Sequence, residues 1–134
     1  MAIFIDASVF CAYANLRDVN HTKAKSLLKA IAMNTYGRPI TTDYIFDETV
    51  TVAYRKAGKQ TALGLGQHIL DSEIIMAEVD SIIFQAAWQF FKEKNNLSFT
   101  DCTILAFMQL FGIGKLATFD KEFKTIAALQ VIDS

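Results

Sequence analysis

Short apolar runs alternate with helical patterns along this chain, and that alternation limits the folds open to it. Four runs predict buried strands, at Ile3–Ile5, Ile40–Thr41, Ile74–Ala77 and Lys115–Phe119, and Leu129–Ile132 is a candidate fifth strand at an edge. Parallel strands need crossover connections, and helices between strands supply them on both faces of a sheet. We therefore predict an α/β fold, a three-layer α/β/α sandwich with a short central parallel sheet.

The segments between the strands have apolar residues at helical spacing. Thr100 is the expected N-cap of the last helix, and Gly112 its expected terminator. The predicted helices are Ser8–Leu16, His21–Asn34, Asp43–Arg55, Thr61–Leu70, a helix from Asp80 or Ser81 to Lys94, and Asp101–Phe111.

Composition favours one ordinary globular unit. The 134 residues are 52% hydrophobic, enough for a single domain spanning 1–134 with its own core. The formal net charge is −1, which excludes a protein-wide basic field of the kind that attracts nucleic acid. A polyanionic substrate would therefore have to be held by local basic groups or by a bound metal.

Neither a membrane segment nor a redox motif is apparent. The most apolar stretch, Cys102–Ile113, is too short to span a bilayer, and no basic region precedes the apolar N-terminal run. Cys11 and Cys102 lack metal-ligand or redox spacing and are expected to be small core residues. A reducing, cytoplasmic location fits this pattern.

Four acidic residues, Asp6, Glu48, Asp101 and Asp120, stand where a parallel α/β fold brings them to one edge. Asp6 and Asp120 follow predicted strands, and Asp101 and Glu48 lie early in helices. Each has a simpler interpretation: Asp6 and Asp101 as helix caps, Asp120 as a turn residue and Glu48 as a surface residue. Because the carboxyl ends of parallel strands meet at the ligand-binding edge, the four together predict a site.

Carboxylates that converge raise one another's pKa and cost stability unless a cation lies between them. Hard oxygen ligands without cysteine or histidine suit Mg²⁺ or Mn²⁺, and Mg²⁺ sites commonly include substrate phosphate. Other acidic-site chemistries fit less well, since Ser8 stands where a dehalogenase-like phosphatase has its second aspartate and no glycine-rich loop follows the first strand. The residues thus indicate metal-assisted phosphodiester hydrolysis.

Four segments in chain order resemble the motifs of the PIN domain family. They are Ile3-Phe4-Ile5-Asp6-Ala7-Ser8, Asp47-Glu48-Thr49, Leu97-Ser98-Phe99-Thr100-Asp101-Cys102 and Leu116-Ala117-Thr118-Phe119-Asp120-Lys121-Glu122-Phe123. The similarity extends over the whole chain, and it is greatest to the VapC-like toxins of prokaryotic toxin–antitoxin pairs, which are single PIN domains of about this size. The PIN fold is a Rossmann-like parallel sandwich.

The resemblance implies a Mg²⁺- or Mn²⁺-dependent endoribonuclease that cleaves RNA phosphodiesters with a metal-activated water. It assigns the catalytic and metal-binding positions to Asp6, Glu48, Asp101 and Asp120. It favours Glu48 over the adjacent Asp47, which is expected to face solvent. It also implies a homodimer and an antitoxin protein whose tail blocks the site.

Several further residues are candidates for supporting roles. Ser8 and Thr118 could orient carboxylates or metal-bound water, although local capping or backbone bonding explains their hydroxyls equally well. Arg55 and Lys121 could contact RNA phosphate, but an ordinary solvated charge is the more frequent role of such residues. None of these four is a ligand on sequence grounds alone.

Two alternatives stay open for the function, and one for the aromatic residues. The chain could be a PIN nuclease for RNA processing or for DNA, or a binding module that retains the fold without activity. Trp88, with Phe84, Phe90 and Phe91, is more typical of a core or a dimer face than of base stacking.

Overall fold

Five short strands form one parallel sheet at the centre of the molecule, in the order β3-β2-β1-β4-β5. The computed structural model describes residues 1–134. The predicted α/β class and parallel sheet are confirmed. The strands are β1 (Ala2–Ile5), β2 (Arg38–Thr42), β3 (Ile75–Ala77), β4 (Lys115–Ala117) and β5 (Gln130–Ile132).

Six α-helices connect the strands, and a short 3-10 helix, Lys121–Thr125, precedes β5. The first four pack against one another, and α5 packs against α6. Right-handed crossovers place these two groups on opposite faces of the sheet, which makes three layers. The α-helices are α1 (Ala7–Ala14), α2 (His21–Ala32), α3 (Asp43–Ala57), α4 (Lys59–Asp71), α5 (Ser81–Glu93) and α6 (Phe99–Phe111).

The order of the strands reverses between β1 and β4. From β1 the chain moves outward to β2 and β3, then returns through α5 and α6 to β4 on the other side of β1. The helices that follow β1 and precede β4 therefore diverge to opposite faces and leave a crevice at the carboxyl ends of these strands, where open α/β sheets bind ligands. Asp6 is at this point, and its N–H donates to the carbonyl oxygen of Ala117 at 3.0 Å.

The core fixes the position of that crevice. Ile3, Phe4 and Ile5 are fully buried between the helical layers, and the ring of Phe4 contacts the ring of Phe107 with centroids 5.5 Å apart. Cys102 is buried as predicted, whereas Cys11 is only partly buried. None of the helices has the length and apolar character needed to cross a bilayer.

The N-terminus of α6 differs from the prediction. Thr100 is not its cap: Ser98 is, because the Ser98 hydroxyl accepts from the Asp101 N–H at 3.1 Å while the Asp101 carboxylate accepts from the Ser98 N–H at 3.1 Å. This reciprocal pair is a capping box, and it begins the helix at Phe99.

The fourth strand also ends earlier than predicted, at Ala117 instead of Phe119. The Phe119 N–H donates to the hydroxyl of Ser8 at 3.0 Å, so it is turned away from the neighbouring strand. The sequence did not predict the 3-10 helix that follows Asp120.

The prediction of a core position for the aromatic residues of α5 is wrong for most of them. Phe84, Trp88 and Phe91 are 45%, 49% and 39% exposed, and only Phe90 packs partly buried against the core. The three lie on the side of α5 next to the start of α6, where Phe99 covers them incompletely.

Candidate active site

Asp6 is the most buried acidic residue at the crevice, with 4% of its surface exposed. It caps α1, where its Oδ1 accepts from the Ala7 N–H at 2.7 Å. Its Oδ2 accepts from the hydroxyls of Thr118 at 2.7 Å and Ser8 at 3.0 Å. Burial raises the pKa of Asp6, and the two hydroxyl hydrogen bonds oppose that rise. The structure thus holds this carboxylate in one orientation.

The hydroxyls of Ser8 and Thr118 join the ends of β1 and β4. Their oxygens lie 3.2 Å apart, and each donates to Asp6. Each also accepts a backbone N–H, from Phe119 for Ser8 and from Asp120 for Thr118, both at 3.0 Å. The same hydroxyls therefore satisfy local backbone groups and orient a carboxylate, so the two alternative roles expected for them coexist.

Glu48 faces the crevice from α3 and is only partly exposed. Burial raises its pKa to about 7, and the negative charges of Asp6, Asp101, Asp47 and Asp120 raise it further. The adjacent Asp47 is exposed and accepts from the Thr51 hydroxyl at 3.4 Å. The helix thus turns Glu48, and not Asp47, toward the other acidic residues.

Asp101 has two roles in the structure. Its Oδ2 completes the capping box of α6, whereas its Oδ1 accepts no hydrogen bond within the chain. Burial raises its pKa, the hydrogen bonds to Ser98 lower it, and the charge of Asp120 raises it. The capping interpretation is therefore correct but incomplete, because one oxygen is still available to a ligand.

Asp120 and Glu122 complete the outer part of the crevice. Asp120 caps the 3-10 helix by accepting from the Glu122 N–H at 3.0 Å. Carboxylate oxygens of Asp101, Asp120 and Glu122 lie within 4.8 Å of one another. Sequence reasoning missed Glu122, although its position two residues after Asp120, at the start of a turn, could have suggested that the two carboxylates meet.

No cationic side chain neutralises these acids. The one ion pair in the chain joins Lys124 to Asp133 at 2.9 Å, outside the cluster. Arg55 and Lys121 are exposed and make no ion pair, which leaves them free to contact a phosphate. Burial raises the pKa of Cys102, which disfavours the thiolate that metal binding requires.

The donor set fits a hard divalent cation. It consists of carboxylate oxygens, the ligands that Mg²⁺ and Mn²⁺ prefer. The raised pKa values of Asp6, Glu48 and Asp101 have a shared contribution from mutual repulsion, which a bound cation would relieve. The structure therefore contains an acidic cluster able to hold a divalent metal ion at the switch point of the sheet.

Comparison with known proteins adds a family to this geometry. The family model for the PIN domain matches residues 3–129. A curated relative, the 23S rRNA-specific endonuclease VapC20 of Mycobacterium tuberculosis, is 26% identical over 96% of this chain and 97% of its own length. The crystal structure of M. tuberculosis VapC20, described as a sarcin-ricin loop cleaving toxin, superposes with a TM-score of 0.83 and 25% identity, covering 93% of this chain and 95% of that one.

More distant structures share the fold. VapBC2 from Rickettsia felis, solved with a DNA fragment of its promoter, has a TM-score of 0.71 and 12% identity, with 98% of each chain covered. A parallel sheet in this order, an acidic cluster at its switch point and a family match over nearly the whole chain lead to one conclusion. The chain belongs to the PIN domain family.

Proposed function

We propose that this protein is a Mg²⁺- or Mn²⁺-dependent endoribonuclease and the toxin of a type II toxin–antitoxin pair. The observation that carries the proposal is an acidic cluster without a neutralising cation, located in the crevice of a PIN fold. The relative VapC20 is named as a 23S rRNA-specific endonuclease, and its likeness covers nearly all of both chains.

In this proposal Asp6, Glu48, Asp101 and Asp120 hold the metal. A bound Mg²⁺ or Mn²⁺ would lower the pKa of a water molecule and neutralise charge on the phosphodiester. Asp6 is held by three hydrogen bonds, so it would not have to reorient on binding. Glu48 has a pKa of about 7 because its charge is only partly solvated and lies among like charges, and a cation would favour its ionised form.

The residues around the cluster have supporting roles in the proposal. Ser8 and Thr118 orient Asp6, and Thr118 also holds the backbone of Asp120. Arg55 and Lys121 are exposed cations available to RNA phosphates, which a chain of net charge −1 needs locally.

Cleavage of RNA by the purified protein tests this assignment. We expect single-stranded or structured RNA to be cut with Mg²⁺ or Mn²⁺ and to stay intact with EDTA. Asp101→Asn should lower the rate at least about 100-fold, since each tenfold loss corresponds to only about 1.4 kcal/mol of transition-state stabilisation. Asp47→Asn is the matched control, because Asp47 is exposed, and it should cut like the parent.

Equal rates for Asp101→Asn and the parent, or full activity in EDTA, would show that the site is assigned wrongly. Expression without a partner separates a toxin from a nuclease of RNA processing or DNA metabolism. A toxin should arrest growth, and the arrest should disappear in Asp101→Asn. Unimpaired growth with an active enzyme would favour the processing role.

An antitoxin partner is part of the proposal, and a groove on the α1–α4 face suits its binding segment. The groove has a volume of about 960 Å³ and lies beside the first residues of β2, at the end of the sheet opposite to the acidic cluster. Its floor is apolar, whereas three cations stand around it, Lys25, Lys29 and Arg38, against one anion, Glu73. An amphipathic segment with acidic residues complements this surface.

Charge reversal at the groove tests the partner assignment. Lys29→Glu combined with Arg38→Glu should weaken binding of a co-expressed antitoxin by at least tenfold, because like charges across an interface repel. The same variant should cleave RNA at the parental rate, since both residues lie away from the cluster. Unchanged antitoxin affinity would exclude this groove as its binding surface.

Three expectations from the sequence stay predictions. The unit 1–134 is proposed to act as one nuclease domain and to form a homodimer, which light scattering of the purified protein would measure. The two cysteines are unpaired, in keeping with the predicted reducing, cytoplasmic setting.

A further inference from the structure

Four aromatic rings form a half-exposed patch where α5 meets the start of α6. We call Phe84, Trp88, Phe91 and Phe99 the aromatic patch. The ring centroid of Phe99 lies 5.3 Å from that of Phe84 and 6.2 Å from those of Trp88 and Phe91, and Trp88 stacks on Phe91 at 5.7 Å. The residues of α5 follow one another at positions i, i+4 and i+7, so they form one stripe of that helix.

The patch is too exposed for a core and small for a dimer face. About half the surface of each of the α5 rings is in contact with solvent. A fully buried aromatic side chain covers roughly 150–250 Å², so these three rings expose on the order of 300 Å² together. A stable protein interface buries about 800 Å² per partner, and apolar patches of about 300–600 Å² on monomers are often functional.

The patch is continuous with the acidic cluster across the N-terminus of α6. Phe99 is the first residue of this helix and Asp101 the third, so their side chains leave it on different sides. The N–H groups of Phe99 and Thr100 between them donate to no acceptor in the chain. Free N–H groups at a helix N-terminus attract phosphate.

A cation also lies at this end of α6. Burial raises the pKa of Cys102, in the first turn of α6, and the positive charge of Lys94 opposes that rise. Lys94 directly follows α5 and is only partly exposed. A polyanion that leaves the acidic cluster over the start of α6 would therefore meet free N–H groups, one lysine and then the four rings.

We propose that the aromatic patch stacks on one or two unpaired bases of the RNA substrate, beside the phosphodiester that is cleaved. The inference rests on the proposed ribonuclease function and names its substrate class: RNA whose bases are unpaired near the cut, in a single strand or a loop. Aromatic side chains bind such bases through their faces, which are hidden in a regular duplex. Because every base has such a face, the patch selects for unpaired structure more than for sequence.

Trp88 reports directly on the patch because it is the only tryptophan of the chain. Its fluorescence can be titrated with short RNA in EDTA, where no cleavage is expected. An oligoribonucleotide should quench it saturably, and an abasic oligomer of equal length and charge should bind about tenfold more weakly, given the usual contribution of stacking per base. Equal affinity for the two oligomers would overturn the proposal.

Substitution separates stacking from folding. Trp88→Leu and Phe91→Leu keep an apolar side chain but remove the ring, so each should raise KM on single-stranded RNA by about fivefold or more and change kcat little. Phe111→Leu is the matched control, since Phe111 is an exposed ring at the far end of α6. The proposal fails if all three variants retain parental KM and melting temperature.

The outcomes also separate this proposal from the proposed function. Base-dependent quenching in a protein that cleaves no RNA would leave the patch in place and refute the nuclease assignment. RNA cleavage with parental KM in the patch variants would do the reverse. If Trp88 emission instead changes on dilution without RNA, and the mass in solution halves in Trp88→Leu, the patch is a contact between two copies and the proposal is wrong.

Discussion

The acidic cluster has a buried half and a rim half, and the two are built differently. In the buried half, both oxygens of Asp6 accept hydrogen bonds, and Glu48 lies among apolar neighbours of α3. In the rim half, Asp101 and Asp120 are partly exposed and Glu122 is exposed. Their carboxylates are held mainly by backbone N–H groups at helix starts.

This difference separates fixed ligands from adjustable ones. Asp6 is anchored by hydroxyls from two chain segments more than 100 residues apart, so its position depends on the whole sheet. Glu122 depends only on a local turn, and it is surrounded by water that screens its charge. We infer that the buried half sets the position of a cation and that the rim half adapts to cation and substrate.

Neutralising the buried half should have the largest effect. Asp6→Asn removes a fixed anionic ligand, so kcat/KM for RNA should fall at least about 100-fold, as expected when several kcal/mol of metal-assisted stabilisation are lost. The measurement is a cleavage rate at saturating Mg²⁺ with a melting curve for folding. Asp71→Asn, at an exposed carboxylate on α4, is the control, and an Asp6→Asn enzyme within tenfold of it would break the comparison.

Loss of the Thr118 hydroxyl should be the next largest effect. Thr118→Val keeps the shape but removes the donor to Asp6 and the acceptor for the Asp120 N–H, and partners that orient metal ligands typically contribute about 10–100-fold to activity. Unfolding in urea should show a loss of about 1–3 kcal/mol, since a buried group is left unsatisfied.

Thr118→Ser should restore most of both quantities. Thr103→Val tests the specificity of the effect, because the buried Thr103 hydroxyl bonds only the Thr100 carbonyl within α6. If Thr103→Val impairs cleavage as much as Thr118→Val, the hydroxyl network is structural and does not position Asp6.

The pH dependence of stability should identify Glu48 in the metal-free protein. Its pKa is raised from 4.5 to about 7 on folding, so the folded state binds the proton more tightly and stability falls as pH rises from about 4.5 to 7. Allowing for solvent screening of a half-buried group, we expect a loss of roughly 1–2 kcal/mol.

Urea unfolding in EDTA at pH 5 and pH 8 measures this loss, and Glu48→Gln should flatten the profile and be the more stable protein at pH 8. Mn²⁺ or Mg²⁺ should raise the melting temperature of the parent, because a ligand that binds only the folded state stabilises it. Identical pH profiles for the parent and Glu48→Gln would show that the carboxylates do not repel one another in the folded protein.

The rim should give the smallest effect. Glu122→Gln should reduce cleavage only about two- to fivefold and weaken Mg²⁺ dependence slightly, because an exposed charge is screened by water and salt. Glu93→Gln, at an exposed acid at the end of α5, should have no effect. A loss from Glu122→Gln as large as that from Asp6→Asn would remove the distinction between the two halves.

Much of the fold was predictable because its signals are local. The run Ile3–Ile5 is apolar and short, and the helices carry their own periodicity, so strands and helices were recognised within a few residues of their ends. The cap of α6 was missed because Ser98 and Thr100 are both good caps, and only the reciprocal bond with Asp101 distinguishes them.

The candidate site was predictable only in part. Asp6 and Asp120 follow strands, so topology alone brings them to one edge. Glu122 and the exposed side of α5 were missed, because whether a side chain meets a carboxylate or water depends on packing between distant segments.

The sequence by itself determined the secondary structure, the parallel sheet and the edge at which its acidic residues gather, since periodicity and strand length are properties of the chain. Only the tertiary structure decided which carboxylate is buried and bonded, why the pKa of Glu48 is near 7 and which aromatic rings stay in solvent. The physical reason is that desolvation, hydrogen bonding and charge repulsion depend on distances between groups that are far apart along the chain.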